Sequence, residues 1–167
     1  MRKLFLLRGA PGSGKSSFIA RHHLNPYAIS RDQIRLLLAD LTVYYQEDAD
    51  VLHQVIPRHV TVRTEQMVDH LVEHKMEYGE TVIVDGTHIV PSAIEHFKPW
   101  VDKYHYECFV VDLMQHTTLE SLLKHNQTRM HYDWVKPEVV KQMYRSYEAH
   151  PEVPYLSLIH ISEPTRP

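Results

Sequence analysis

Between residues 9 and 16 the chain reads Gly-Ala-Pro-Gly-Ser-Gly-Lys-Ser, a string that fills every fixed position of G-x-x-x-x-G-K-[ST]. The run before it, Lys3-Leu4-Phe5-Leu6-Leu7, is short and continuously apolar, as a strand buried on both faces of a parallel sheet requires. From Ser16 to about His23 the residues suit a helix. A strand that turns through glycines into a helix brings backbone N–H groups and a helix N-terminus to one point, which favours phosphate.

The rest of the chain repeats this alternation. Asn25-Pro26 breaks the first helix before a short strand at Tyr27-Ala28-Ile29, and Ile34, Leu37, Leu38 and Leu41 give Arg31 to Leu41 the spacing of a one-sided helix. A long helical region is expected from about Asp50 to Tyr78, with Pro57 as a break or new start and Gly79 as its stop. Thr81-Val82-Ile83-Val84 reads as a central strand that ends in Asp85-Gly86. Helix is expected again over Ser92 to Tyr104, then a strand over Tyr106 to Asp112, then helices over Thr118 to Arg129 and Pro137 to Ala149.

That order predicts an α/β chain: a three-layer P-loop NTPase fold with a parallel sheet of about four strands and helices on both faces. Ligands of such sheets bind at the carboxyl ends of the strands. A length of 167 residues suits one domain with one core. The net charge of −3 supplies no global positive field, so contact with nucleic acid would be local. Cys108, the one cysteine, sits in an apolar run and reads as a buried structural thiol, which fits a reducing, cytoplasmic setting. No apolar stretch approaches the roughly 20 residues of a membrane span, so a soluble protein without membrane contact is expected. Leu156 to Arg166, LSLIHISEPTR, resembles a translated sequencing-library adapter, so the domain is expected to cover residues 1–155 and residues 156–167 to form a non-native tail.

The chemistry-bearing residues follow from the loop. Gly9, Gly12, Ser13, Gly14, Lys15, Ser16 and Ser17 are the candidate contacts to ATP, with Lys15 reaching the β- and γ-phosphates as a point charge. The Ser16 hydroxyl is the candidate Mg2+ ligand, and Asp85, at the end of its strand, is the second carboxylate-type candidate. Asp-Gly is also a common turn pair, which is the plainer reading of Asp85. Ser30-Arg31-Asp32-Gln33-Ile34-Arg35 falls at the same rim. Asp32 suits a general base for a hydroxyl and Arg35, one turn later, a phosphate clamp. Both equally suit plainer roles, Asp32 at a helix N-terminus and Arg35 on a solvated face. Arg129 can neutralise charge on a transferred phosphoryl group, or simply complement a helix C-terminus. His70-Leu71-Val72-Glu73-His74 matches the zinc string H-x-x-E-H, but 14 histidines make such a match easy by chance.

With these elements together, residues 1–155 resemble the kinase domain of phage polynucleotide kinase, within the AAA-type small P-loop kinases. Gln127 to Gln142, with Pro137-Glu138-Val139-Val140 and Met143-Tyr144, follows the same pattern. The resemblance implies ATP- and Mg2+-dependent phosphorylation of 5'-hydroxyl ends of DNA or RNA. It implies that Lys15 and Ser16 hold nucleotide and metal, Asp32 activates the 5'-hydroxyl, Arg35 binds the adjacent 3'-phosphate and Arg129 contacts the donor phosphates. Asp85-Gly86-Thr87-His88 departs from that family and looks more like the broad group of small P-loop kinases, so a small-molecule acceptor stands as the alternative. A nucleotide switch of the GTPase kind is a third reading, against which no Asn-Lys-x-Asp string occurs.

Overall fold

The structure, a computed structural model, describes residues 2–129, 131–153 and 157–160. Its elements run β1 (Lys3–Arg8), α1 (Lys15–Arg21), β2 (Ala28–Ser30), α2 (Arg31–Leu38), β3 (Thr42–Gln46), β4 (Val51–Val55), α3 (Thr61–Glu77) and β5 (Val82–Asp85). They continue with α4 (Pro91–Glu95), α5 (Lys98–Tyr104), β6 (Glu107–Asp112), α6 (Leu119–Gln127), α7 (Pro137–Ala149) and β7 (Ser157–His160). The main sheet has the order β2-β5-β1-β6-β7, and every pairing in it is parallel.

Alternate residues of the central strands feed opposite layers, as the period of two demands. Leu4, Leu6, Val82, Val84, Cys108 and Val110 join the core under α3, α4 and α5, where Val68, Val72, Met76, Ile94, Phe97 and Val101 meet them. Leu7, Ile83 and Val111 face the other way, onto Ile19 of α1. Burial pushes the Cys108 thiol up to about 12, so it is an inert packing residue. A third cluster, with Ala10, Ile89, Met114, Leu122 and Val140, seats α6 and α7 beneath the loops at the carboxyl ends of the strands.

All four expected strands are present, but two expectations change. Residues 50–55 are not helical: β4 pairs with β3 as an antiparallel hairpin, and helix begins only at Thr61. Thr42-Val43-Tyr44-Tyr45 and Val51-Leu52-His53-Gln54-Val55 are rich in β-branched and aromatic residues, and Asp50, with φ of 51°, turns the chain between them. The single helix expected over 92–104 is two, because Pro99 lacks the N–H needed to continue a ladder and opens a new helix. Within the expected tail, 156–167, Ser157–His160 pairs in parallel along the edge of β6, while 154–156 and 161–167 lie outside the described residues.

A buried ion pair fastens the ends of β1 and β6. Arg8 and Asp112 are register neighbours, with side chains 1% and 2% exposed and Nη1 3.4 Å from Oδ2. Arg8 Nη2 donates to the carbonyls of Ile89 and His150, at 3.0 and 2.5 Å. Asp112 accepts from Met114 N at 2.8 Å and Tyr147 Oη at 3.0 Å. Asp112→Ala would strand the guanidinium without its counter-charge. Urea denaturation should show a stability loss of about 3–5 kcal/mol, and a loss below about 1 kcal/mol would contradict this account of the pair.

Candidate active site

The loop from Gly9 to Lys15 has the backbone that its glycines allow. Gly12 and Gly14 have φ of 89° and 92°, and a β-carbon on Gly12 would stand 2.7 Å from the Leu122 carbonyl oxygen. Gly9 donates its N–H to Thr87 O at 2.9 Å, which ties the loop to the segment after β5. A β-carbon on Gly9 would collide with the Ser13 side chain. Ser13 is itself buried, and its Oγ has no partner, so Gly9 and Ser13 shape the loop from beneath. Gly12, Gly14, Lys15, Ser16 and Ser17 line a cavity of about 710 Å³.

The same cavity is lined by Asp32, Arg35, Asp85 and Arg129, so all the expected side chains except Ser13 reach it. The sheet register explains this for Asp85, which stands opposite Leu7 on one side and Ser30 on the other. Ser30 caps α2 by accepting from Gln33 N, and Asp32 and Arg35 follow one turn apart. Arg35 Nη1 donates to Asp32 Oδ1 at 2.7 Å. Arg35 is only 7% exposed and its Nε has no partner, which rules out the solvated-face reading. Arg129 lies two residues past the end of α6, donating its backbone N–H to Asn126 O at 3.4 Å.

Charge in the cavity is held against the cost of burial. Lys15 Nζ donates to Gly9 O and Ala10 O at 2.6 and 3.3 Å, and desolvation pulls its pKa below the ordinary 10.5, with Asp85 acting the other way. Burial raises Asp85 above the ordinary 3.8, while Lys15 opposes the shift. Asp85 and Ser16 line one cavity, and a desolvated carboxyl with a hydroxyl offers the oxygen ligands that a divalent cation such as magnesium takes. The H-x-x-E-H string has a different use, because Glu73 Oε1 accepts from Lys103 Nζ at 2.8 Å and Tyr104 Oη at 3.1 Å. Among the described residues no group of three or more metal-ligating side chains of the His, Cys, Asp or Glu type is assembled.

Several residues at the site were not anticipated. Arg31 Nε donates to both oxygens of Glu65 at 2.9 and 3.0 Å, and its Nη1 stands 3.3 Å from His88 Nε2. His88 Nδ1 lies 2.7 Å from Leu7 O, so the imidazole is neutral, with Nδ1–H donating and Nε2 accepting from Arg31. Asn126 grips both the N–H and the carbonyl of Val135, closing the segment after α6 into a loop over the cavity. Arg58 and Asp133 also line the cavity. These partners lie far apart in sequence, so no local spacing announces them.

Fold and loop together define a P-loop, kinase-like nucleotide-binding domain. A family profile described as an AAA domain matches residues 4–150, and the chain belongs to that family. Among solved structures it is similar to a chain of the Pnkp1/Rnl/Hen1 RNA repair complex, at 21% identity and TM-score 0.63 over 89% of this chain and 44% of that one. It is similar to a gluconokinase from Sinorhizobium meliloti at 13% identity and TM-score 0.54, over 98% and 85% of the two chains. It is also similar to Chaetomium thermophilum Kti12 in complex with ADP-AlF3, at 13% identity and TM-score 0.55 over 97% and 91%. The chain spans less than half the length of the RNA repair chains it matches. No curated protein sequence matches it. Among the described residues no helix is long and apolar enough to cross a membrane.

His88 gives the site a pH signature. Burial foremost, with Arg31 adding to it, lowers its pKa from 6.5 to about 3. Below pH 6.5 the unfolded chain binds a proton that the native state refuses, so stability falls as pH drops from 6.5 towards 3. The slope from this residue approaches about 1.4 kcal/mol per pH unit. Urea midpoints measured across that range should fall less steeply in His88→Asn, which tolerates the φ of 42°. Equal slopes would remove His88 from the account.

Proposed function

We propose that the chain is an ATP-dependent kinase that transfers the γ-phosphate to the 5'-hydroxyl end of DNA or RNA. The observation that carries this reading is the Asp32–Arg35 pair, held at 2.7 Å on the wall of the cavity that Lys15 also lines. A carboxylate oriented by a guanidinium can accept the proton of an attacking hydroxyl, while the same guanidinium has N–H groups left for an adjacent phosphate. Arg35 Nε, buried and without a partner, is such a group.

In this mechanism the acceptor oxygen attacks the γ-phosphorus, the bond from that phosphorus to the β–γ bridging oxygen breaks, and ADP leaves. Asp32 takes the hydroxyl proton. Lys15 balances charge on the β- and γ-phosphates, and Arg129 neutralises charge that develops on the transferred group. Ser16 and Asp85 would hold magnesium, which when bound supplies charge neutralisation on the donor phosphates. Asp85 reads as a ligand better than as a turn residue because it is desolvated beside Lys15.

Labelled γ-phosphate should pass from ATP to a 5'-hydroxyl oligonucleotide in the presence of magnesium. Lys15→Ala and Asp32→Asn should each lower kcat by about 10²-fold or more, and Arg35→Ala should chiefly raise the acceptor KM. A folded, ATP-binding protein that labels no oligonucleotide would refute the reading and direct the search to a small-molecule hydroxyl.

A further inference from the structure

The cavity holds a cation that the mechanism above does not use. Arg58 lines it together with Asp32, Arg35 and Arg129, yet no ion pair is formed by its side chain among the described residues. Its position is fixed by its neighbours on the chain. Ile56 and Pro57 are buried, Ile56 N donates to Tyr132 O at 3.3 Å, and the Arg58 carbonyl accepts from Thr61 N and Oγ1 at 3.1 and 2.6 Å to open α3.

The hairpin that leads into this corner is braced from the other side of the cavity. His53 stacks on Trp134 with ring centroids 3.8 Å apart and planes 5° apart, and Tyr44 stacks on the same indole at 5.7 Å and 21°. Lys136 Nζ sits 3.9 Å from the centroid of Tyr44. The β3–β4 hairpin is therefore an arm joined to the segment that follows Arg129, and Arg58 is carried at its root.

We infer that Arg58 is a second acceptor-phosphate ligand, holding the phosphodiester one nucleotide beyond the group that Arg35 holds; this rests on the polynucleotide reading above. Depth orders the two arginines. Arg35 is buried and bonded to Asp32, whereas Arg58 is exposed at the rim, so a strand that presents its terminal hydroxyl to Asp32 extends outward past Arg58. One nitrogen of Arg35 is already committed to Asp32, so the N–H groups it has left serve one phosphate rather than two. Partial desolvation by the cavity wall depresses the Arg58 pKa, Asp32 opposes the shift, and Arg35 and Arg129 add to it, so Arg58 shares the field of the same groups that line the acceptor side. A chain of net charge −3 has no general field for nucleic acid and must hold a strand by such point contacts.

The test compares two acceptors, a nucleoside 3'-monophosphate, which carries only the phosphate for Arg35, and a 5'-hydroxyl oligonucleotide, which carries the next one as well. In Arg58→Ala the ratio of kcat/KM for the oligonucleotide to that for the monophosphate should fall about tenfold, through acceptor KM rather than kcat, with Arg58→Lys restoring part of it. An unchanged ratio, or a loss carried by the KM for ATP, would overturn the inference and assign Arg58 to the first phosphate or to the donor. Failure of the wild-type protein to label either acceptor while binding ATP is a different result, which refutes the polynucleotide reading and this inference with it.

Discussion

Arg8 and Asp112 meet across the ends of β1 and β6 with almost no exposure to water, and the geometry of the cavity hangs on that pair. Desolvating two charges costs several kcal/mol per ion, so such a pair persists only where further hydrogen bonds satisfy it. The further bonds here reach three parts of the chain. The guanidinium binds the carbonyl of Ile89, after β5, and that of His150, after α7, while the carboxylate binds the backbone after β6 and Tyr147 of α7. Arg8 immediately precedes the phosphate-binding loop, so one desolvated contact sets that loop against three segments that carry or support site residues.

A second tie acts one residue further along. Gly9 N donates to Thr87 O, and the neighbouring His88 bonds through Nδ1–H to Leu7 O while its Nε2 faces Arg31. A charged imidazole could not occupy that place, because it would face a guanidinium with no water to screen it. Neutral His88 therefore transmits position: it sets Arg31, which grips Glu65 of α3 and so holds the start of α2 where Asp32 and Arg35 point into the cavity.

The donor half of the site was legible in the sequence because it is local. Gly9 to Ser16 is one continuous string, and Asp85 closes a β-branched run whose parallel pairing puts it beside that string. The acceptor half was legible only in part. Asp32 and Arg35 were visible from helical spacing, but the burial that separates a clamp from a surface arginine comes from the packing of α2 on α3, which spacing does not contain. The hairpin is hidden by Pro57 and by the long apolar-patterned region after it, so β4 reads as part of a helix and β3 falls between two expected helices. Arg58, His88 and Asn126 could not be found at all, because their meaning lies in partners brought near by the fold.

Ionisable balance decides what such a cavity accepts. Among its lining groups, leaving histidine aside, five are basic and four acidic, on a chain whose total is −3. Two of the basic groups are occupied, Arg31 by Glu65 and Arg35 by Asp32. Burial raises the pKa of both remaining acids, Asp85 and Asp133, which weakens the acidic side further. Lys15, Arg58 and Arg129 carry no side-chain ion pair among the described residues, one on the loop, one on the hairpin root and one after α6, and Arg35 keeps N–H groups beyond its bond to Asp32. Three positive groups on three separate elements, gathered on one cavity wall, make the cavity suited to phosphate-bearing ligands.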